Sequence, residues 1–253
     1  MLNSTERFSS RVENYIKYRP SYPAAVLELL SSRCGLGAGS VVADVGSGTG
    51  ILTELLLETG AAVFAVEPNL AMREAAERNL NDYGRFRSID GTAEATTLAQ
   101  SSVDLITASQ AFHWFDHPRF FDEVRRIARP GAVVAVWCYG IDRITPEIDA
   151  VVDELYTGYL GTSWEPERRL VENLYRGVAF PFDELAPPRF EMEARWRLEH
   201  LVGYIETWSA LGTYRKTHAD DPMQVIVPKL ERVWGDAGER LVTWPVGMRA
   251  GRV

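Results

Sequence analysis

The sequence predicts a doubly wound α/β fold, and three observations predict it. Between residues 40 and 139, short β-branched runs alternate with helical segments, the signature of parallel strands joined by crossover helices. Those runs are apolar nearly throughout instead of alternating, so both faces of the sheet are covered. The first run passes directly into a glycine-rich turn and a helix, "VVADVGSGTG", the context in which such sheets bind ligands.

The elements follow in order. Strand one is "VVADV" (41–45); Ile51, Leu52, Leu55 and Leu56 then share one helical face until Gly60 stops the turn. Strand two is "AVFAVE" (62–67), and Asn69 is placed to cap the helix "LAMREAAERNL". Strand three is "RFRSID" (85–90) and strand four "VDLITAS" (103–109), which runs into the aromatic stretch "SQAFHWFD". Asp116 or His117 before Pro118 opens a helix with Phe121, Val124 and Ile127 inward, ended by Pro130-Gly131; strand five is "AVVAVWC" (132–138). Thereafter Thr145-Pro146 caps a helix carrying Ile148, Val151, Val152, Leu155 and Tyr159, and the Pro-rich "FPFDELAPPRF" returns the chain. "FEMEARWRL" alternates as a strand, "HLVGYIETWSAL" reads as one helix, and "RLVTWPVGMRAGRV" closes as a strand. The expected whole is a mostly parallel seven-stranded sheet with its last strand antiparallel, and a helical insertion after strand five.

Composition narrows the function. The 253 residues carry 35 acidic against 27 basic side chains, a formal charge of −8, with no basic run. Nucleic acid is therefore not an expected partner, because phosphate neutralisation needs clustered cations. "MLNSTERFSS" lacks an apolar core behind a basic start, and no stretch approaches ~18 apolar residues, so a cytoplasmic chain without a membrane span is expected. Cys34 and Cys138 belong to no Cys/His cluster, and no metal site is expected.

The glycine turn carries the chemistry. Gly46, Gly48 and Gly50 let backbone approach a ligand where no Cβ intervenes, and Glu67 ends the next strand where it can accept from two ribose hydroxyls. A dinucleotide turn reads G-x-G-x-x-G, whereas this one reads G-x-G-x-G with Ile51 in the last glycine's place. Asp44, two residues ahead, suits a cationic ammonium and sulfonium better than a pyrophosphate.

At this point a resemblance appears. "FSSRVENYIKYRPSYP", "VADVGSGTG", "FAVEPNLAM", "GTAEATTL", "SVDLITASQAFHWFD", "RIARPGAVVAVW" and "YIETWSAL" together span most of the chain. They resemble the Rossmann-like class I S-adenosylmethionine-dependent methyltransferases, and within them the trans-aconitate methyltransferase-like branch that acts on small molecules. The resemblance implies one domain over 1–253: a helical lid at 1–33, a cofactor core at 38–140, a helical insertion covering the pocket at 141–189, and a completing C-terminal part at 190–253.

It also implies roles for residues. The turn, including Gly46, Ser47 and Gly48, would cradle the methionine part of the cofactor, Asp44 would order its ammonium or nearby water, and Glu67 would hold the ribose. Pro68 and Met72 would meet the adenine. The family more often has Asp at the position of Thr92, so Thr92 and Ala93, by backbone or hydroxyl, stand beside Asp90 and Glu94 as candidates for the adenine amino group; Glu94 also reads as a helix-start charge. Arg19 would pair with the methionine carboxylate, with Tyr15, Tyr18 and Tyr22 closing around it. Ser109 and Gln110 would touch the cofactor, while Tyr22, His113, Trp114 and Trp208 would border the acceptor, with Phe112 or Phe115 sharing that edge.

Methyl transfer to a carboxylate, already ionised near neutral pH, needs positioning and no base; a phenol, an alcohol or a quinone-like carbon needs help. His113 is the candidate for that help, and equally for a substrate contact or a structural partner. A small-molecule acceptor with a monomeric or homodimeric enzyme is the expectation. A nicotinamide oxidoreductase and a noncatalytic cofactor-binding module are the alternatives from other classes.

Overall fold

The chain's structure is a computed structural model that describes residue 14 and residues 17–253. Helix α1 (Ala24–Arg33) leads into β1 (Val41–Val45), α2 (Ile51–Glu58), β2 (Ala62–Val66), α3 (Leu70–Leu80), β3 (Phe86–Ile89), β4 (Val103–Ser109), α4 (His117–Ile127) and β5 (Ala128–Tyr139). There follow α5 (Pro146–Asp153), which runs on as a π-helical turn (Glu154–Tyr159), α6 (Arg168–Glu172), β6 (Asp183–Glu184), β7 (Phe190–Trp196), α7 (Leu198–Glu206), α8 (Ser209–Thr217), α9 (Met223–Trp234) and β8 (Arg240–Arg252).

The strands form one sheet in the order β3-β2-β1-β4-β5-β8-β6, with β7 also pairing β8. From β3 to β5 every pairing is parallel, and β8 runs antiparallel to β5. Both β6 and β7 lie against the same side of β8, β6 opposite Gly251 and Arg252 and β7 opposite 240–246. They are one sheet position broken in two. Pro187 and Pro188 between them have no N–H to offer the ladder. The position count is thus seven, while β6 places a short strand inside the stretch expected to be helical.

Alternate residues of each strand pack opposite layers. Val42, Leu105, Val133, Ala135 and Trp137 enter one core, and Ala43, Val45, Ile106, Ala108, Val134, Val136 and Cys138 the other. This two-sided burial is why the strands read as continuous apolar runs. Asn69 caps α3 by accepting from Met72 N–H at 3.1 Å, and Asp116 caps α4 by accepting from Arg119 N–H at 3.3 Å.

Two elements depart from expectation. Helix α4 ends at Ile127, and Pro130-Gly131 lies inside β5, where a register shift between Val103 and Leu105 on β4 absorbs it. The segment expected as one helix at 200–211 breaks at Thr207-Trp208 into α7 and α8. There the Thr207 hydroxyl donates to the Tyr204 carbonyl at 2.6 Å, and Trp208 adopts extended backbone (φ −68, ψ 132). Among the described residues, no helix is long and apolar enough to cross a membrane.

Candidate active site

The glycine turn is built by close approach. Gly46, Gly48 and Gly50 have φ of +70, +58 and +90, a region side chains disfavour. A Cβ on Gly46 would stand 2.6 Å from Ala111 Cβ, and one on Gly50 2.7 Å from Leu80 Cδ1. At Gly48 a Cβ would meet only Met72 Sδ, at an ordinary contact distance of 3.8 Å, so the middle glycine of the turn is the least crowded of the three. Gly46 and Ser47 N–H both donate to the Val66 carbonyl (2.8 and 3.2 Å), tying the turn to β2.

Asp44 holds the turn from beneath. It is fully buried and accepts from Thr53 Oγ1 at 2.7 Å and Thr107 Oγ1 at 3.0 Å, linking β1 to α2 and β4. Burial pushes its carboxyl up to about 6 against the pull of those two hydroxyls, with Glu67 adding a little. Among the described residues both its oxygens are engaged by hydroxyls, which ties the strand below the turn to its neighbours.

Glu67 is buried at the tip of β2. Its Oε2 accepts from Gly48 N–H at 3.0 Å and its Oε1 from Asn69 N–H at 2.8 Å. Burial raises its pKa while those two amides and the Arg73 charge lower it. Each oxygen keeps a further lone pair, so the carboxylate can accept from two adjacent hydroxyls without breaking the turn. Met72 is buried below the turn, Pro68 is half-buried, and Leu70 stands 60% exposed at the rim. That exposed leucine offers an apolar face for a flat base.

The segment after β3 divides its candidates. Thr92 is exposed and spends its N–H and carbonyl on a bridge to Ala95 (3.1 and 3.2 Å), so only its hydroxyl is left, while Ala93 is buried. Asp90 pairs with Arg73 at 3.1 Å. Glu94 accepts from Asp116 N–H at 2.9 Å, so its charge sits at the start of α4 and reads as a helix-start residue.

Beyond β4 the chain turns sharply. Gln110 (φ +51) donates its N–H to the Trp137 carbonyl at 2.8 Å, and its carboxamide brackets Tyr139, accepting from its N–H at 3.0 Å and donating to its carbonyl at 3.3 Å. Ser109, half-buried, closes the ladder opposite Trp137. Ala111 and Phe115 touch Gly46, so this corner and the glycine turn share a wall. Phe112 is core: it is fully buried and stacks on His117 at 4.1 Å.

A cavity opens beside this corner, lined by Arg19, Gln110, His113, Trp114, Arg168 and Trp208, with Trp164, Glu165, Tyr204 and Ser209 completing it. Arg19 donates to Tyr139 Oη at 2.8 Å and the Thr207 carbonyl at 3.3 Å. Arg168 donates to Tyr156 Oη at 2.8 Å and lies 4.9 Å from the Trp164 ring centre. The break between α7 and α8 is what brings Trp208 and Ser209 to this wall. His113 is 6% exposed, and its Nδ1 meets Tyr175 Oη at 3.0 Å. Burial drives its pKa down to about 3, helped by the Arg168, His117 and Arg19 charges, so the imidazole is neutral.

Tyr18 and Tyr22 are not among the residues that line this cavity. The Tyr18 ring fits against α7 where a Cβ on Gly203 would come within 2.5 Å, and it lies edge-on to His200. Tyr22 lies edge-on to Trp137. Tyr15 and the rest of the expected lid at 1–13 and 16 lie outside the described residues. Sequence reasoning missed Arg168, Glu165, Tyr175 and Tyr204. An arginine inside an insertion rich in aromatics is a signal, but α6 is five residues long and gives no periodicity to separate Arg168 from Arg169. Among the described residues no group of three or more His, Cys, Asp or Glu is gathered for a metal.

The fold and the turn define a class I methyltransferase, and comparison with known proteins agrees. Residues 43–136 match the model of the methyltransferase domain family. A Dictyostelium discoideum protein named as a methyltransferase is 28% identical over 250 residues, covering 96% of this chain and 93% of its own. An uncharacterized methyltransferase of Mycobacterium bovis is 38% identical over 131 residues, 51% of each chain. A solved structure from Anaeromyxobacter dehalogenans, described as a type II methyltransferase, is 43% identical, with TM-score 0.81 over 93% of this chain and 98% of its own. The chain belongs to the class I S-adenosylmethionine-dependent methyltransferases. The cradle fits that cofactor: a Cβ at Gly48 would meet only Met72 Sδ, at 3.8 Å, and each Glu67 oxygen keeps a lone pair for a hydroxyl.

Proposed function

We propose that this methyltransferase esterifies a small carboxylic acid. The observation that carries the reading is the pair of guanidinium groups, Arg19 and Arg168, on an aromatic-walled cavity that adjoins the glycine turn. Glu67, Gly48, Ser47 and Met72 would hold the cofactor's ribose and methionine side, and Arg19 its carboxylate. Arg168 would hold the acceptor's carboxylate, with the Trp114, Trp164 and Trp208 rings against its body.

The bound cofactor supplies an electrophilic methyl on a sulfonium. The protein's part is alignment, which can contribute ~7 to 11 kcal/mol to the barrier. A carboxylate arrives ionised, so no side chain has to remove a proton. That suits a His113 kept neutral by burial.

The test is a panel of small carboxylic acids, phenols and quinone precursors with product identification by mass spectrometry. Methyl esters are expected; ring-oxygen or ring-carbon methylation in place of esters overturns the reading. Arg168→Ala should lower kcat/KM for the best acid about 10- to 100-fold, the size of a lost charge-assisted contact, and leave S-adenosylhomocysteine affinity unchanged. Arg19→Ala should instead weaken that affinity, measured calorimetrically.

A further inference from the structure

Among the described residues, His113 and Tyr175 share one hydrogen bond, and neither side chain makes a second one to nitrogen or oxygen. Tyr175 is fully buried and His113 nearly so, and the Nδ1 to Oη distance is 3.0 Å. The rings are tilted 37° to each other, and Phe112 seals the far side of Tyr175 edge-on at 5.2 Å. With both groups neutral, one must donate and the other accept.

The direction follows from where the second proton would go. If Nδ1 carried the proton, the Tyr175 hydroxyl would have to donate elsewhere, and among the described residues the acceptor it meets besides His113 is the Cys138 sulfur, a weak one. That thiol is itself buried and directed to the Val171 carbonyl at 3.9 Å. If Tyr175 donates to Nδ1, no buried donor goes unspent. The remaining imidazole proton then sits on Nε2, the nitrogen left to the cavity that His113 lines.

The backbone is bent to make this contact. Leu174 and Tyr175 both have left-handed φ, +52 and +58, which residues with side chains rarely adopt. Tyr175 N–H donates to the Leu170 carbonyl at 2.8 Å, and Arg249 Nη1 donates to the Tyr175 and Val178 carbonyls at 3.3 and 2.9 Å. Strand β8 comes so close here that a Cβ on Gly247 would lie 2.4 Å from Leu174. Strain held by that many restraints commonly marks a functional residue.

We propose that Tyr175 is a positioning residue that fixes the His113 tautomer, so that His113 presents Nε2–H to the acceptor as a hydrogen-bond donor and not as a base. This deepens the carboxylate reading and rests on it for the acceptor's identity. A donor at that point complements an oxygen that is already negative, and it has no lone pair for a hydroxyl's proton. Tyr175 thereby selects acceptors that arrive ionised.

The tautomer can be read directly. In long-range proton–nitrogen spectra of the full chain with S-adenosylhomocysteine, His113, one of four histidines, should show an unprotonated Nδ1 and a protonated Nε2. Its signals are identified by their loss in His113→Gln. In Tyr175→Phe, judged folded by retained S-adenosylhomocysteine affinity, the proton should spread over both nitrogens. The acceptor's KM should then rise about three- to tenfold with kcat less affected. His113→Gln, whose amide can stand where Nε2 stood, should keep more kcat/KM than His113→Asn. A proton on Nδ1 in the wild type, an unchanged tautomer in Tyr175→Phe, or the reverse order of Gln and Asn overturns the proposal. A protonated Nε2 in an enzyme that esterifies no acid overturns the acceptor reading alone.

Discussion

His113 is neutral at physiological pH because the folded chain refuses its proton. Burial, then the charges of Arg168, His117 and Arg19, bring its pKa from 6.5 to about 3. Two consequences follow. The pH profile of kcat/KM should show no ionisation near 6.5, and a limb at that pH which vanishes in His113→Gln would contradict it. Stability has a definite sign as well: the folded pKa lies below the unfolded one, so between those values only the unfolded chain takes up the proton. The contribution is complete above pH 6.5 and is lost as pH falls toward 3, at up to about 1.4 kcal/mol per pH unit. Urea melts of His113→Gln should therefore fall less steeply than wild type between pH 6 and 4. The sequence placed His113 at the end of a strand, where ligands bind. Its protonation was hidden because the partner, Tyr175, lies 62 residues away, in a turn with no periodic signature.

The glycine turn is an element whose sequence and geometry say the same thing, since "VGSGTG" has no alternative to glycine at Gly46. Gly46→Ala meets two costs, about 1 to 2 kcal/mol for a left-handed alanine and about 1 to 3 for overpacking against Ala111. Ala111→Gly relieves most of the second and none of the first, leaving Phe115 Cζ at 3.3 Å. The single variant should lose cofactor affinity and melt lower, and the double variant should recover part of the melting temperature. A double variant no more stable than the single would rule out the contact as the cause. Strands β1 and β4 were legible to the residue because burial on both faces leaves unbroken apolar runs. The break between α7 and α8 was not. Its residues continue a helical pattern, and it is the Thr207 hydroxyl turned back on the Tyr204 carbonyl, with Arg19 donating to the Thr207 carbonyl, that accompanies the corner. The glycine turn and Glu67 lie on such local motifs, whereas the cavity is assembled from 19, 110–114, 164–168 and 204–209, and its geometry could not be read from any one stretch.

Over the whole molecule, the sheet's carboxyl edge collects buried acids as well as the site. Asp142, just past β5, is fully buried, and among the described residues neither oxygen has a partner beyond its own amide. Burial pushes its carboxyl from 3.8 up to about 7, with Asp149 and Asp153 adding to the rise and Arg143 opposing it. Asp44 is raised in the same direction, to about 6. Both folded pKa values lie above their unfolded ones, so the folded chain binds more protons across the interval between. Their stabilising contribution is full below about pH 4 and is lost as pH rises through 6 and 7, opposite in sign to that of His113. For Asp142 the loss is bounded near 4 kcal/mol, since each pKa unit is worth about 1.4, a large share of the ~5 to 15 kcal/mol that holds a domain together. Asp142→Asn keeps the shape and removes the charge. Chemical denaturation should find the variant close to wild type near pH 4 and clearly more stable at pH 8.5. Parallel curves across that range would mean that Asp142 reaches water or a partner in solution, and its pKa would then be an ordinary one.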